Sequence, residues 1–135
     1  MIGKVRFGPG GDGARFKDAA ELLFPKDSIR QLPTPDEYQQ IPQALWHGLR
    51  CGLSHMGFMQ AEHERSIDVQ VIDAGAPIVF ANEHDEPVIE VGADQFVGTV
   101  IRALIKLLDD LRNDTRLRTD NFLPLWRKSW GSYSP

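Results

Sequence analysis

Between residues 93 and 113 apolar side chains recur at the spacing of an α-helix: Phe96, Val97, Val100, Ile101, Leu104, Ile105, Leu108 and Leu111. Positions three and four apart share a helix face, so these eight build one broad apolar sector. A sector that wide cannot face water by itself. It predicts a long helix from Ala93 or Asp94 to about Asn113, covered by other helices or by a second subunit. A last helical stretch, roughly Asp120 to Trp130 with Pro124 near its start, puts Trp126 and Trp130 on one face. Residues 93–130 are thus expected to supply the C-terminal helices.

Upstream, Thr34-Pro35-Asp36-Glu37 combines an N-cap, a proline at the first helical position and a glutamate at the third. That is a capping box with the usual proline placement. It opens a helix over 34–57, with a short turn or kink expected at Pro42. Leu45, Leu49, Leu53 and Met56 recur at helical spacing. Gly48 and Gly52 lie beside that stripe and suggest close approach to another helix, and Gly57 ends the segment. Over 66–91 the period changes to two. Ile67, Val69 and Val71 alternate with Asp68 and Gln70, Ile78–Ala81 and Pro87–Val91 follow, and Asn82–Glu86 is a polar connection. This pattern predicts a small antiparallel β-meander inserted in a mostly α protein of the α+β class.

Residues 1–13 are glycine-rich and read as a flexible lead-in. Gly8-Pro9-Gly10-Gly11-Asp12-Gly13 formally matches G-x-G-x-x-G, and Lys4–Phe7 could be a strand before it. A dinucleotide site also needs a second parallel strand after the helix. Residues 25–35 contain three prolines and no apolar strand. Proline at position 9 removes an amide donor. No cofactor binding is expected there.

The 135 residues suit a single domain. One cysteine, Cys51, allows no internal disulfide and points to a reducing compartment. The opening run Met1–Phe7 lacks the apolar core of a signal peptide, and no apolar run spans a membrane. A cytoplasmic protein is expected. The net charge of −4 argues against passive wrapping of nucleic acid, but the charge is uneven. Residues 1–100 hold 8 Lys and Arg against 15 Asp and Glu, whereas residues 101–135 hold 7 against 4. A solvated helix face explains that excess; a phosphate-attracting surface is the sharper reading.

The chain contains no G-x-S-x-G, P-loop, H-E-x-x-H or EF-hand loop. Glu62-His63-Glu64 resembles a metal cluster, but adjacent residues seldom converge on one ion, so no metal site is expected. His84 reads as a solvated turn residue. Arg50-Cys51-Gly52-Leu53-Ser54-His55 is different: an arginine and a histidine, five apart, close a helix among small residues. Arginine presents a fixed planar fork to phosphate oxygens. Histidine moves protons near neutral pH. On a straight α-helix residues five apart differ by about 140° in direction. The pair can therefore act together only if the helix frays or bends near Gly52 or if two chains each supply one member, and the second option agrees with a dimer site and with the closely spaced glycines.

This motif resembles the HEPN superfamily, marked by an arginine followed by a histidine after four to six residues. The resemblance is closer to one bacterial subgroup, with Arg-x-Gly-Leu-x-His, then a few strands, a long helix and a Leu-Arg-x-x-x-Phe stretch, here Leu117-Arg118-Thr119-Asp120-Asn121-Phe122. The resemblance covers roughly residues 36–130. It implies a helical bundle that forms a homodimer through the helix bearing Arg50, with arginines and histidines meeting in a shared cleft. It also implies metal-independent RNA cleavage, in which the 2′-hydroxyl attacks the adjacent phosphate and leaves a 2′,3′-cyclic phosphate and a 5′-hydroxyl. Arg50 would bind and polarise phosphate, and His55 would be the general acid/base. Ser54 would assist, and Arg112, Arg116 and Arg118 would guide RNA. Defence and toxin–antitoxin systems are the biological settings this suggests.

Two other readings stay open. Catalytic members commonly carry a polar residue directly after the arginine, where this chain has Cys51. That departure and the acidic net charge favour a non-catalytic binding or assembly module for a nucleotide, RNA or a protein partner. In the structural reading, Arg50 binds a carboxylate or helix carbonyls and His55 caps the helix C-terminus.

Overall fold

The computed structural model describes residues 1–31, 34–51, 67–73, 75–83 and 86–130. The chain opens with helix α1 (Ile2–Phe7) and helix α2 (Asp12–Leu23), followed by a short 3₁₀ turn at Lys26–Ser28. Helix α3 (Pro35–Leu45) runs directly into a π-helical turn, Trp46–Cys51. Three strands follow: β1 (Asp68–Ile72), β2 (Ile78–Glu83) and β3 (Glu86–Gly92). Helix α4 (Ala93–Asn113) starts where β3 ends. A second π-helical turn (Leu117–Phe122) leads into helix α5 (Leu123–Trp130). The described residues are mostly helical with a small sheet, as the α+β expectation required.

The sheet is mixed, which corrects the antiparallel meander. Its order is β1-β3-β2, with β1 parallel and β2 antiparallel to β3. Burial explains the order. β3 carries Val88, Ile89 and Val91, all buried, so it takes the centre, where both faces are covered. β1 alternates with Asp68 and Gln70 and therefore suits an edge. β2 and β3 pair as far as Glu83 opposite Glu86, so the expected polar connection over 82–86 is shortened by two strand ends. The outer edge of β2 is also partly closed. The Arg30 amide donates to the Ile78 carbonyl and the Phe80 amide to the Arg30 carbonyl, both at 3.1 Å.

One face of the sheet and helices α2 and α3 enclose the larger core, which includes Phe24, Ile29, Ile41, Leu45, Ile78 and Ile89. Fully burying a side chain of this size contributes about 1.5–3 kcal/mol. Phe24 stacks on Phe96 with ring centroids 4.8 Å apart, tying the end of α2 to α4. A second cluster joins α1 to the C-terminal helices. Val5 is wholly buried against Leu107 and Leu111, with Ile2, Leu117, Phe122 and Leu125 packed around it.

Residues 1–13, expected as a flexible lead-in, thus include a docked helix. α1 and α2 cross so closely at Gly3 that a Cβ there would lie 2.0 Å from the Arg15 carbonyl oxygen. Arg6 adds an ion pair to Asp110 of α4 at 2.6 Å. The nucleotide motif has lost its context, because α1 rather than a strand precedes it. The glycine loop is held by Arg15, which donates to the carbonyls of Gly8 at 2.9 Å and Pro9 at 2.7 Å. Among the described residues no strand precedes β1.

Candidate functional site

The helix that carries the motif begins as its sequence requires. The Glu37 amide donates to Thr34 Oγ1 at 3.3 Å and the Thr34 amide to Glu37 Oε1 at 3.1 Å, which completes the capping box. No separate turn forms at Pro42, and α3 continues through it to Leu45. Proline has no amide to donate to the carbonyl four residues back. Four residues later the ladder changes. The Trp46 amide is shared between the carbonyls of Gln43 and Pro42, and from Trp46 to Cys51 the helix is of the wider π type. In that geometry pairing runs from residue i to i+5, and single π turns occur frequently at functional sites.

Packing fixes the π turn on two sides. Trp46 meets Phe16 of α2, ring centroids 5.1 Å apart. Gly48 faces β1, where a Cβ would come within 2.8 Å of Val69 Cγ2. The close approach expected from the two glycines is therefore made at Gly48 by a strand rather than by a helix. The amide of Gln43 contacts the His47 ring one turn earlier.

Arg50 is the fifth residue of the π turn. Its side chain lies outside the described residues, as do Ser54, His55, Gly52 and the Glu62-His63-Glu64 cluster. The backbone frame leading to the motif is therefore defined up to Cys51. Among the described residues no group of three or more His, Cys, Asp and Glu side chains could hold a metal ion.

The basic residues expected to guide RNA divide into two kinds. Arg112 and Arg116 are exposed near the end of α4. Arg118 folds back, and its guanidinium donates to the carbonyls of Leu111 at 3.0 Å and Arg112 at 3.4 Å. A cation on the last carbonyls of a helix also opposes the negative end of its dipole. The rest of the Leu-Arg-x-x-x-Phe stretch is structural too. Leu117 and Phe122 are five apart and both pack on Val5's cluster, as a π turn allows.

Sequence reasoning missed a groove of about 770 Å³ between the helices. Phe16, Leu23, Leu45, Trp46, Phe96 and Leu104 supply its apolar walls, and Lys4, Asp12 and Arg15 also line it. Its volume falls in the range typical of small-molecule sites. Lys4 and Asp12 form an ion pair at 2.5 Å, so these charges partly neutralise each other. Trp46 places the first residue of the π turn on the groove wall. Only the apolar residues of α4 hinted at this feature in the sequence.

No described helix is long and apolar enough to cross a membrane. Comparison of the chain with protein-family models, with curated proteins and with solved structures finds no match.

Proposed function

We propose that this chain is a HEPN-like, metal-independent endoribonuclease whose reaction centre is built from Arg50 and His55. The supporting observation is the π turn that contains Arg50. Single π turns occur frequently at functional sites, and this one ends inside the motif, at Cys51. Arg50 would bind a phosphate oxygen pair and stabilise the charge that builds on the phosphorane-like transition state. His55 would take the proton from the 2′-hydroxyl or give one to the leaving 5′-oxygen. Ser54 would supply a hydrogen bond, and the exposed Arg116 would draw RNA toward the site.

The test is incubation of the full chain with structured and unstructured RNA in EDTA, beside Arg50→Ala and His55→Ala. Cleavage by the wild type that falls at least about 100-fold in both variants supports the nuclease. An inert wild type, with both variants folded, overturns it. The second reading, a non-catalytic binding or assembly module, is favoured by a separate observation. Arg118 is occupied in capping α4, and the groove beside the π turn is mainly apolar.

A further inference from the structure

The long helix α4 buries only part of its apolar sector within the chain. Leu107 and Leu111 are buried, whereas Val97, Ile101, Ile105 and Leu108 are 54%, 50%, 62% and 63% exposed. Four large aliphatic side chains in one stripe present a patch on the order of a few hundred Å², about as much as a monomer usually exposes. The exposed seam has a strict heptad spacing. Asp94, Gly98, Ile101, Ile105, Leu108 and Arg112 alternate by four and three residues. That spacing keeps one line of side chains facing a neighbouring helix.

We propose that α4 pairs with α4 of a second copy of this chain, antiparallel, about a twofold axis at the level of Ala103. Three opposed pairs share that midpoint. Ile101 meets Ile105 of the partner subunit, Gly98 meets Leu108 of the partner subunit, and Asp94 meets Arg112 of the partner subunit. Each pair occurs twice by symmetry. The large Leu108 therefore faces the one position in the seam that has no side chain. The apolar centre is closed at each end by opposite charges. Asp94 and Arg112 stand about 27 Å apart on the same face, given 1.5 Å per residue. Neither makes an ion pair with a described residue. A parallel pair in register would set Asp94 against Asp94 and Arg112 against Arg112, so the charges select the antiparallel orientation. This interface differs from the Arg50 helix and removes Arg112 from the RNA-guiding surface.

Sedimentation equilibrium of the full chain, read as mass against concentration, tests the pairing without reference to Arg50 or His55. A dimer is expected. Ile105→Glu and Leu108→Lys alter exposed residues and should each weaken association at least tenfold while circular dichroism stays unchanged. Asp94→Arg should weaken it, and adding Arg112→Asp should restore it. A wild type that stays monomeric up to about 100 μM, beyond the range of specific micromolar pairing, overturns the proposal, whatever other helix or apolar ligand then occupies the seam. A dimer that survives Ile105→Glu with a native spectrum overturns it too. Failure of the double reversal to restore association overturns the antiparallel register.

Discussion

The Asn121 amide donates to the Val5 carbonyl oxygen at 2.7 Å, joining the second turn-forming segment of the chain to its first helix across 116 residues. α1 has only six residues, and its carbonyls have few partners of their own. Asn121 sits in the second π turn, beside Phe122, which packs on the same cluster as Val5. Replacing Asn121 by Ala is expected to cost about 0.5–1.5 kcal/mol, the usual net worth of such a bond. Asn121→Asp should cost more, because an acceptor then faces an acceptor. Urea unfolding monitored by tryptophan fluorescence measures both. Equal stability of wild type and Asn121→Asp would show that α1 is not held this way.

Asp110 anchors α1 from the other side. Lys106 at 3.0 Å and Arg6 at 2.6 Å both reach its carboxylate, and together they hold it below the ordinary value near 3.8, with the Lys106 hydrogen bond contributing most. A carboxyl group lowered in the folded state contributes stability above its unfolded pKa and loses it as pH falls through the folded one. Thermal unfolding of the wild type should therefore fall with pH below about 4, and Asp110→Asn should lessen that dependence. An unchanged slope in Asp110→Asn would assign the acid sensitivity to other groups.

Gly48 is required by its neighbour rather than by its helix. Alanine would normally favour a helix by about 1 kcal/mol over glycine. Here the new Cβ would lie 2.8 Å from Val69 Cγ2 and 2.9 Å from Val69 Cβ, and the latter is fixed to the backbone of β1 and cannot swing aside. Gly48→Ala should destabilise by about 1–3 kcal/mol through overpacking. Val69→Ala in the same chain should recover part of that loss, which a double-mutant cycle reads as coupling. Additive effects would contradict the contact.

Arg118 separates a structural role from an RNA-guiding one. Arg118→Ala should lower stability by about 1 kcal/mol through loss of its bonds to the end of α4. Arg116→Ala should leave stability within about 0.5 kcal/mol. It should weaken RNA association and flatten its salt dependence. Filter binding at several salt concentrations, with unfolding curves for both variants, tests the division. A larger loss of RNA binding in Arg118→Ala than in Arg116→Ala would reverse it.

Local signals were the legible ones. The bounds of α4, the capping box at Thr34 and the apolar members of all three strands follow from spacing and turn chemistry within short windows. Strand order was not legible, because β1 reaches its place beside β3 through pairing with residues twenty positions away. The N-terminal helix was hidden by its glycine content. Ile2 and Val5 have helical spacing, but the partners that make it stable, Leu107 and Asn121, lie a hundred residues downstream. Pro42 suggested an interruption, but α3 continues through it to Leu45. Of the expected site, the Arg50 backbone and the side chains of Arg112, Arg116 and Arg118 fall among the described residues, and Ser54 and His55 do not.

The most direct measurement uses an RNA oligonucleotide cut by the wild type in EDTA, compared with the same oligonucleotide carrying a single 2′-deoxy sugar at the cut position, with the ends identified by mass spectrometry. Attack by the 2′-hydroxyl requires a 2′,3′-cyclic phosphate on one fragment, a 5′-hydroxyl on the other and no cleavage at the deoxy position. Cutting that persists at the deoxy position, or that leaves a 5′-phosphate, contradicts a centre in which Arg50 holds phosphate and His55 moves the proton.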